Sequence, residues 1–175
     1  MSKIKILIYF FFLATFSCNT SKNIKHVDCQ KKFKILDSIS YISFPDDNWG
    51  TTGNSVFKKI LEKGESIKPC LIEKILDTTK SNLRIADSYN YKNGDIAVLM
   101  LPYVSKTKIP LRNLLFEEFE NELKGKNRDN DFFSSIYYFL LFSNNEQTNY
   151  NNRLRLYKKL NSSNLRKPTL FTFSP

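Results

Sequence analysis

Histidine is almost absent from this sequence: His26 is the single one in 175 residues. A histidine-built zinc site therefore lacks its ligands. Paired with Cys29 or Cys70, His26 could on paper activate a thiol nucleophile, but a base on a polar tether is not held in place for that work. Glycine is scarce as well, with five residues in the whole chain. No Gly-rich phosphate loop and no Gly-x-Ser-x-Gly elbow occurs, and so few glycines disfavour a turn-rich β fold. Asp46, Asp47 and Asn48 supply oxygen ligands without the spacing of a calcium loop, so no metal is expected. Long apolar runs are missing too. The run Ile6 to Phe16 has eleven residues, and the segment DFFSSIYYFLLF, Asp131 to Phe142, has twelve. A helix needs about 20 to cross a bilayer, so neither run is a lasting membrane span.

Negative charge is the last shortage. There are 17 acidic against 27 basic side chains, a formal net charge of +10. Such a surface favours anionic partners, including lipid head groups and acidic proteins.

The first residues, MSKIKILIYFFFLATFS, place Lys3 and Lys5 ahead of the apolar run and end in small residues. That order is the pattern of a secretory signal. Thr15, Phe16, Ser17 and Cys18, followed by Asn-Thr-Ser-Lys-Asn, resemble the lipobox and tether of bacterial lipoproteins. The resemblance implies a signal peptide at 1–17, acylation (palmitate or a similar chain) at Cys18, a tether at 18–30 and a cell-envelope location facing the periplasm, reached through a lipid anchor. Cleavage by an ordinary signal peptidase is the competing reading. Nucleic acid is not expected as a partner in that compartment. Removing 1–17 leaves 25 basic against 17 acidic residues, or +8 over 158 residues, a length that suits one domain at 31–175.

With Cys18 assigned to lipid, Cys29 and Cys70 remain, either as two free thiols or as a disulfide in an oxidising compartment. A bridge would close a loop of about forty residues and contribute about 3 to 4 kcal/mol. Cys70 lies nearly opposite the apolar stripe of its helix, which favours the bridge.

Apolar residues recur mostly at helical spacing, so the expected fold class is all-α, a small irregular antiparallel helical domain. Ile35, Leu36, Ile39 and Ile42 predict a helix over 31–44, ended by Pro45. The loop PDDNWGTTG follows and carries the only tryptophan, Trp49. Helices are next expected at 55–63, with Asn54 or Ser55 as cap and Gly64 at the end, and then from Ser66 through Leu76. Residues 78–94 read as a loop, with Tyr89 and Tyr91 on it. Asp95 to Val104 reads as a buried helix, because it is apolar all round. A stripe of Leu111, Leu114, Leu115, Phe119 and Leu123 predicts a helix from Pro110 to Gly125. Its other face carries Glu117, Glu118, Glu120 and Glu122. Asp131 can cap a core helix, and the last helix is expected at 148–160, before an extended tail.

Within 67–104, Pro69, the apolar Leu71, Ile72, Ile75 and Leu76, then Asp77, Arg84, Ala86, Asp95 and Ala97 resemble one HEAT-type helical repeat. The resemblance implies structural roles for Asp77 and Arg84 and a fold that presents binding surfaces. SYNYKNG interrupts the repeat, and no second copy occurs at a fixed period, so an array is not expected.

These features lead to the expectation of a non-enzymatic envelope lipoprotein without cofactor, acting as a helical protein-binding module. A toxin-neutralising immunity protein and an accessory subunit of an envelope assembly are two versions of it. Trp49, Tyr89 and Tyr91 are the candidate partner-binding residues. The alternative is a carboxylate-based glycan hydrolase built on Glu117 to Glu122, which would need two acids about 5 to 9.5 Å apart.

Overall fold

A computed structural model describes residues 28–46, 50–85, 89–106, 109–127 and 133–162. The fold is mostly helical, with two small antiparallel sheets. It opens with α1 (Cys29–Lys32), whose first turn is capped by the Asp28 carboxylate accepting from the Lys31 amide. A 3-10 helix, Lys34–Tyr41, follows directly. An α-helix was expected here. The buried residues Leu36, Ile39 and Ile42 are spaced by three, which is the 3-10 period and stacks them on one edge.

Strands β1 (Pro45–Asp46) and β2 (Thr51–Thr52) form a minimal ribbon. Helix α2 (Ser55–Leu61) is capped by Asn54, whose side-chain oxygen accepts from the Phe57 amide at 3.1 Å. The chain turns through Gly64, at φ 52°, into a short 3-10 segment, Gly64–Ile67, and then α3 (Lys68–Lys74) with Pro69 in its first turn. Ser66 does not cap α3; its hydroxyl donates to the Lys63 carbonyl at 2.6 Å.

The segment read as a loop is a β-hairpin, β3 (Lys80–Ile85) and β4 (Tyr89–Lys92), paired Lys80 to Lys92, Arg84 to Asn90 and Ile85 to Tyr89. The all-α expectation thus holds only roughly. Ser81, Leu83 and Ile85, and then Tyr89 and Tyr91, alternate at period two with tyrosines that favour strands, so the pleat outweighs the polar, loop-like composition.

Helix α4 (Asn93–Val104) is the centre of the molecule, with Ile96, Ala97, Val98, Met100 and Leu101 fully buried. Its widest helix contact is with α3. At the joint, a Cβ on Gly94 would stand 2.1 Å from the Ile75 carbonyl oxygen, so no side chain fits there. Pro102 falls inside the last turn, and the helix ends two residues later. The exit of α4 is tied down by Glu65, which accepts from the Lys106 amide and pairs with buried Lys68, each at 2.6 Å.

Helix α5 (Leu111–Glu118) stops seven residues short of the expected end at Gly125. The Glu118 carbonyl, which would accept from residue 122 in a longer helix, instead accepts from Arg155 Nη2. Helices α6 (Phe133–Leu141) and α7 (Glu146–Ser162) complete the bundle, with α7 packed on α3, α5 and α6. Asp131, the expected cap of α6, and the tail from 163 lie outside the described residues. Among the described residues, no helix is long and apolar enough to cross a membrane.

Three helices meet at one buried polar cluster. Asp95 of α4 and Arg153 of α7 are fully buried and pair at 2.5 Å, and the Tyr137 hydroxyl of α6 donates to the same Asp95 oxygen at 2.9 Å. The second Asp95 oxygen accepts from the Lys92 amide at 2.7 Å, capping α4. Burial, and then the Asp95 charge, raise the Tyr137 hydroxyl well above its ordinary pKa, so it remains a donor.

Removing one partner leaves the other charge buried alone. Arg153→Met should lower unfolding free energy in urea by about 3 to 5 kcal/mol. The Asp95→Asn/Arg153→Met double variant should lose clearly less than the two single losses added together.

Candidate functional site

The candidate site grows from the base of the hairpin. Asp77, just past α3, accepts from the Thr79 amide at 2.9 Å, pairs with Lys74 at 3.0 Å and accepts from the Asn93 side chain at 3.2 Å. The Asn93 amide in turn donates to the Thr79 carbonyl at 2.9 Å. Burial acts to raise the Asp77 carboxyl, but these bonds outweigh it and hold the pKa down to about 2. The clamp fixes where β3 leaves α3 and where β4 enters α4.

Tyr89 and Tyr91 are two apart on β4, and Tyr138 and Phe142 are four apart at the end of α6, so each pair shares a face of its element. The two pairs meet. Tyr89 stands edge-on to Tyr138 at 5.5 Å and to Phe142 at 6.4 Å, Tyr91 stands edge-on to Phe142 at 6.0 Å, and Tyr138 stacks on Phe142 at 5.6 Å. These are the preferred geometries of aromatic pairs. Phe142 is buried and rests near the Arg153 guanidinium, 5.9 Å from its centroid. Tyr89 and Tyr138 keep 39% and 36% of their surface exposed. Tyr89 and Tyr138 thus form a partly open aromatic surface, backed by the half-buried Tyr91 and the buried Phe142.

A pocket of about 290 Å³ opens beside these rings. Leu141, Phe142 and Tyr89 line its apolar side, and Lys80, Lys92 and Glu146 bring charge to it. Lys92 pairs with Glu146 at 2.8 Å, and that bond, with the lysine's charge, lowers the Glu146 pKa. The sequence reading missed Tyr138, Phe142, Lys80 and Lys92. The i, i+4 spacing of Tyr138 and Phe142 was visible, but only the hairpin brings it against Tyr89.

The carboxylates at the end of α5 and in the turn after it are engaged elsewhere. Glu122 pairs with Arg155 at 2.5 Å, Glu118 with the same guanidinium at 3.3 Å, and Glu117 with Lys159 at 3.6 Å. The hydrogen bond from Arg155 lowers the Glu122 pKa, the opposite of what a general acid requires. Glu120 lines a separate open depression with Lys124 and Lys126.

Cys29 and Cys70 are joined by a disulfide with Cα atoms 5.5 Å apart. Cys70 is buried rather than solvated, because Cys29, Phe33 and Leu36 gather over that side of α3. Cys18, His26 and Trp49 lie outside the described residues, as do Asp47 and Asn48. Among the described residues, no group of three or more His, Cys, Asp or Glu could hold a metal ion. Comparisons with family models, curated proteins and solved structures found no match to this chain.

Because the folded Asp77 pKa is lowered from 3.8 to about 2, its contribution to stability is complete above the unfolded value and is lost as pH falls from about 4 to 2. Asp77→Asn should lower stability at pH 7 by about 1 kcal/mol, after allowance for solvent screening. In urea titrations at pH 2 the variant and the parent should be nearly equal.

Proposed function

We propose that the protein is a lipid-anchored module of the bacterial cell envelope that binds a protein partner through the surface of Tyr89, Tyr91, Tyr138 and Phe142 and performs no chemistry. The observation that carries this reading is the convergence of the four rings. Tyrosine and phenylalanine are enriched at protein interfaces because a rigid ring covers much area for little lost entropy. Rings held by a hairpin clamp and a buried ion pair are pre-organised, which reduces the cost of binding.

In this reading residues 1–17 are a signal peptide, Cys18 carries the acyl chains, and the domain faces the periplasm. Helices α3 and α4 are a HEAT-like pair, interrupted by the hairpin that presents the rings. Neutralising an acidic toxin and serving as an accessory subunit of an envelope assembly both fit such a module. The glycan-hydrolase alternative finds less support, since Glu117, Glu118 and Glu122 are tied to basic side chains of α7.

Crosslinking in the native envelope followed by purification of the protein should recover one stoichiometric partner, and Tyr89→Ala with Tyr138→Ala should abolish its recovery. Finding no stoichiometric partner under any condition would count decisively against the binding role. For the anchor, Cys18→Ala should remove labelling by a fatty-acid analogue and release the protein from membranes; labelling that persists refutes the assignment of Cys18.

A further inference from the structure

The pocket beside the rings has a composition that narrows the partner. Its volume, about 290 Å³, is at the lower edge of the range of small-molecule sites, roughly 300 to 1,000 Å³. One apolar side chain fits that scale better than an extended ligand. Its uncharged amide side chains are already engaged in hydrogen bonds. Asn90 donates to the Ser81 carbonyl at 2.8 Å. Asn149 donates to the Ser143 carbonyl at 2.9 Å and accepts from the Ser143 amide at 3.0 Å and hydroxyl at 2.9 Å. Few directional groups are left to read sugar hydroxyls, which disfavours a glycan.

What the wall still offers is an apolar floor and charge. Lys80 and Lys92 are direct cross-strand partners, an arrangement that is unfavourable for like charges unless anions are near. Glu146 supplies one carboxylate against these two ammonium groups. Its side chain is 76% exposed while that of Lys92 is 15% exposed, so the glutamate is the half of the pair that solvent reaches. A carboxylate arriving from outside can take the place of Glu146 on Lys92, and a second can rest on Lys80.

We infer that this pocket receives an apolar side chain flanked by carboxylates, presented by an acidic segment of the protein partner. The inference rests on the proposed binding role and adds the chemistry of what is bound. Glu146 acts as a resident substitute for the partner's acid, leaving Lys92 when the acidic segment docks.

The test uses the full chain in neutral detergent micelles and three fluorescent peptides read by anisotropy: acetyl-Asp-Phe-Asp-amide, acetyl-Asn-Phe-Asn-amide and acetyl-Asp-Ala-Asp-amide. The first should bind saturably, and the other two should bind about fivefold more weakly or worse. Raising the salt concentration should weaken the first alone among the two phenylalanine peptides. Lys80→Ala should weaken the first peptide about threefold. Glu146→Gln should tighten it, because Lys92 is freed; a merely structural role for Glu146 would not strengthen binding. Equal binding of the three peptides, no binding at millimolar concentration, or a Glu146→Gln variant with unchanged affinity overturns the inference. The broader role is judged separately. A crosslinked partner that is lost with Tyr89→Ala and Tyr138→Ala but kept with Lys80→Ala and Glu146→Gln would leave the binding role standing and remove only the acidic-segment inference.

Discussion

The ion pair of Asp95 and Arg153 is the joint on which the remaining structure hangs. Asp95 has two oxygens and three partners: the guanidinium of α7, the phenol of α6 and the backbone amide that starts α4. One side chain therefore caps the central helix and fixes two later helices through residues 42 and 58 positions further along the chain. Burying such a pair is not in itself a strong source of stability, since desolvation offsets most of the attraction. Its effect is to leave one arrangement acceptable. Any sliding of α6 or α7 along α4 would strand a charge in the core, among Ile96, Met100 and Leu156. Arg153 Nε and Nη2 are already buried without a hydrogen-bond partner among the described residues, so the cluster has little tolerance for further loss.

The rings gain their position from that joint. Phe142 lies against the Arg153 guanidinium, and Tyr91 is close enough to Asp95 that burial and then the Asp95 charge raise its pKa. The hairpin is fixed from the other end by Asp77, Thr79 and Asn93. The exposed aromatic surface is thus mounted between two polar clamps, one buried and one half-buried. A ring surface held this way behaves as part of the core that happens to face outward, rather than as a loop feature.

Much of the framework could be read from the residues, and the failures have physical reasons. The all-round apolar run at 95–104 could only be a buried helix, and Asn54 and Gly64 marked real turning points. The run Leu36, Ile39, Ile42 was compatible with both 3.0 and 3.6 residues per turn, and the segment packs on β3, α2 and α4, contacts that no local pattern reveals. The hairpin was hidden because its alternation is carried by tyrosines, a serine and single aliphatics among Lys and Asn, a composition that reads as loop. The Glu118 carbonyl at the end of α5 accepts from an arginine 37 residues away, a contact that no local pattern reveals. The candidate site was half legible for the same reason. Tyr89 and Tyr91 could be named from their surroundings, whereas Tyr138 and Phe142 read as core until the strand reached them.

The disulfide gives the domain a defined response to mechanical load. Cys29 stands within two residues of the first described position and is bonded to Cys70 in α3, against the central helix. Tension arriving along the chain from its N-terminal side is passed through the sulfur bridge into α3. It does not first unwind the four-residue α1 or the 3-10 helix behind it. Pulling on α3 engages its packing with the central helix α4 directly. The covalent link thus moves the point where force enters the domain from its first short helix to the packed pair α3 and α4.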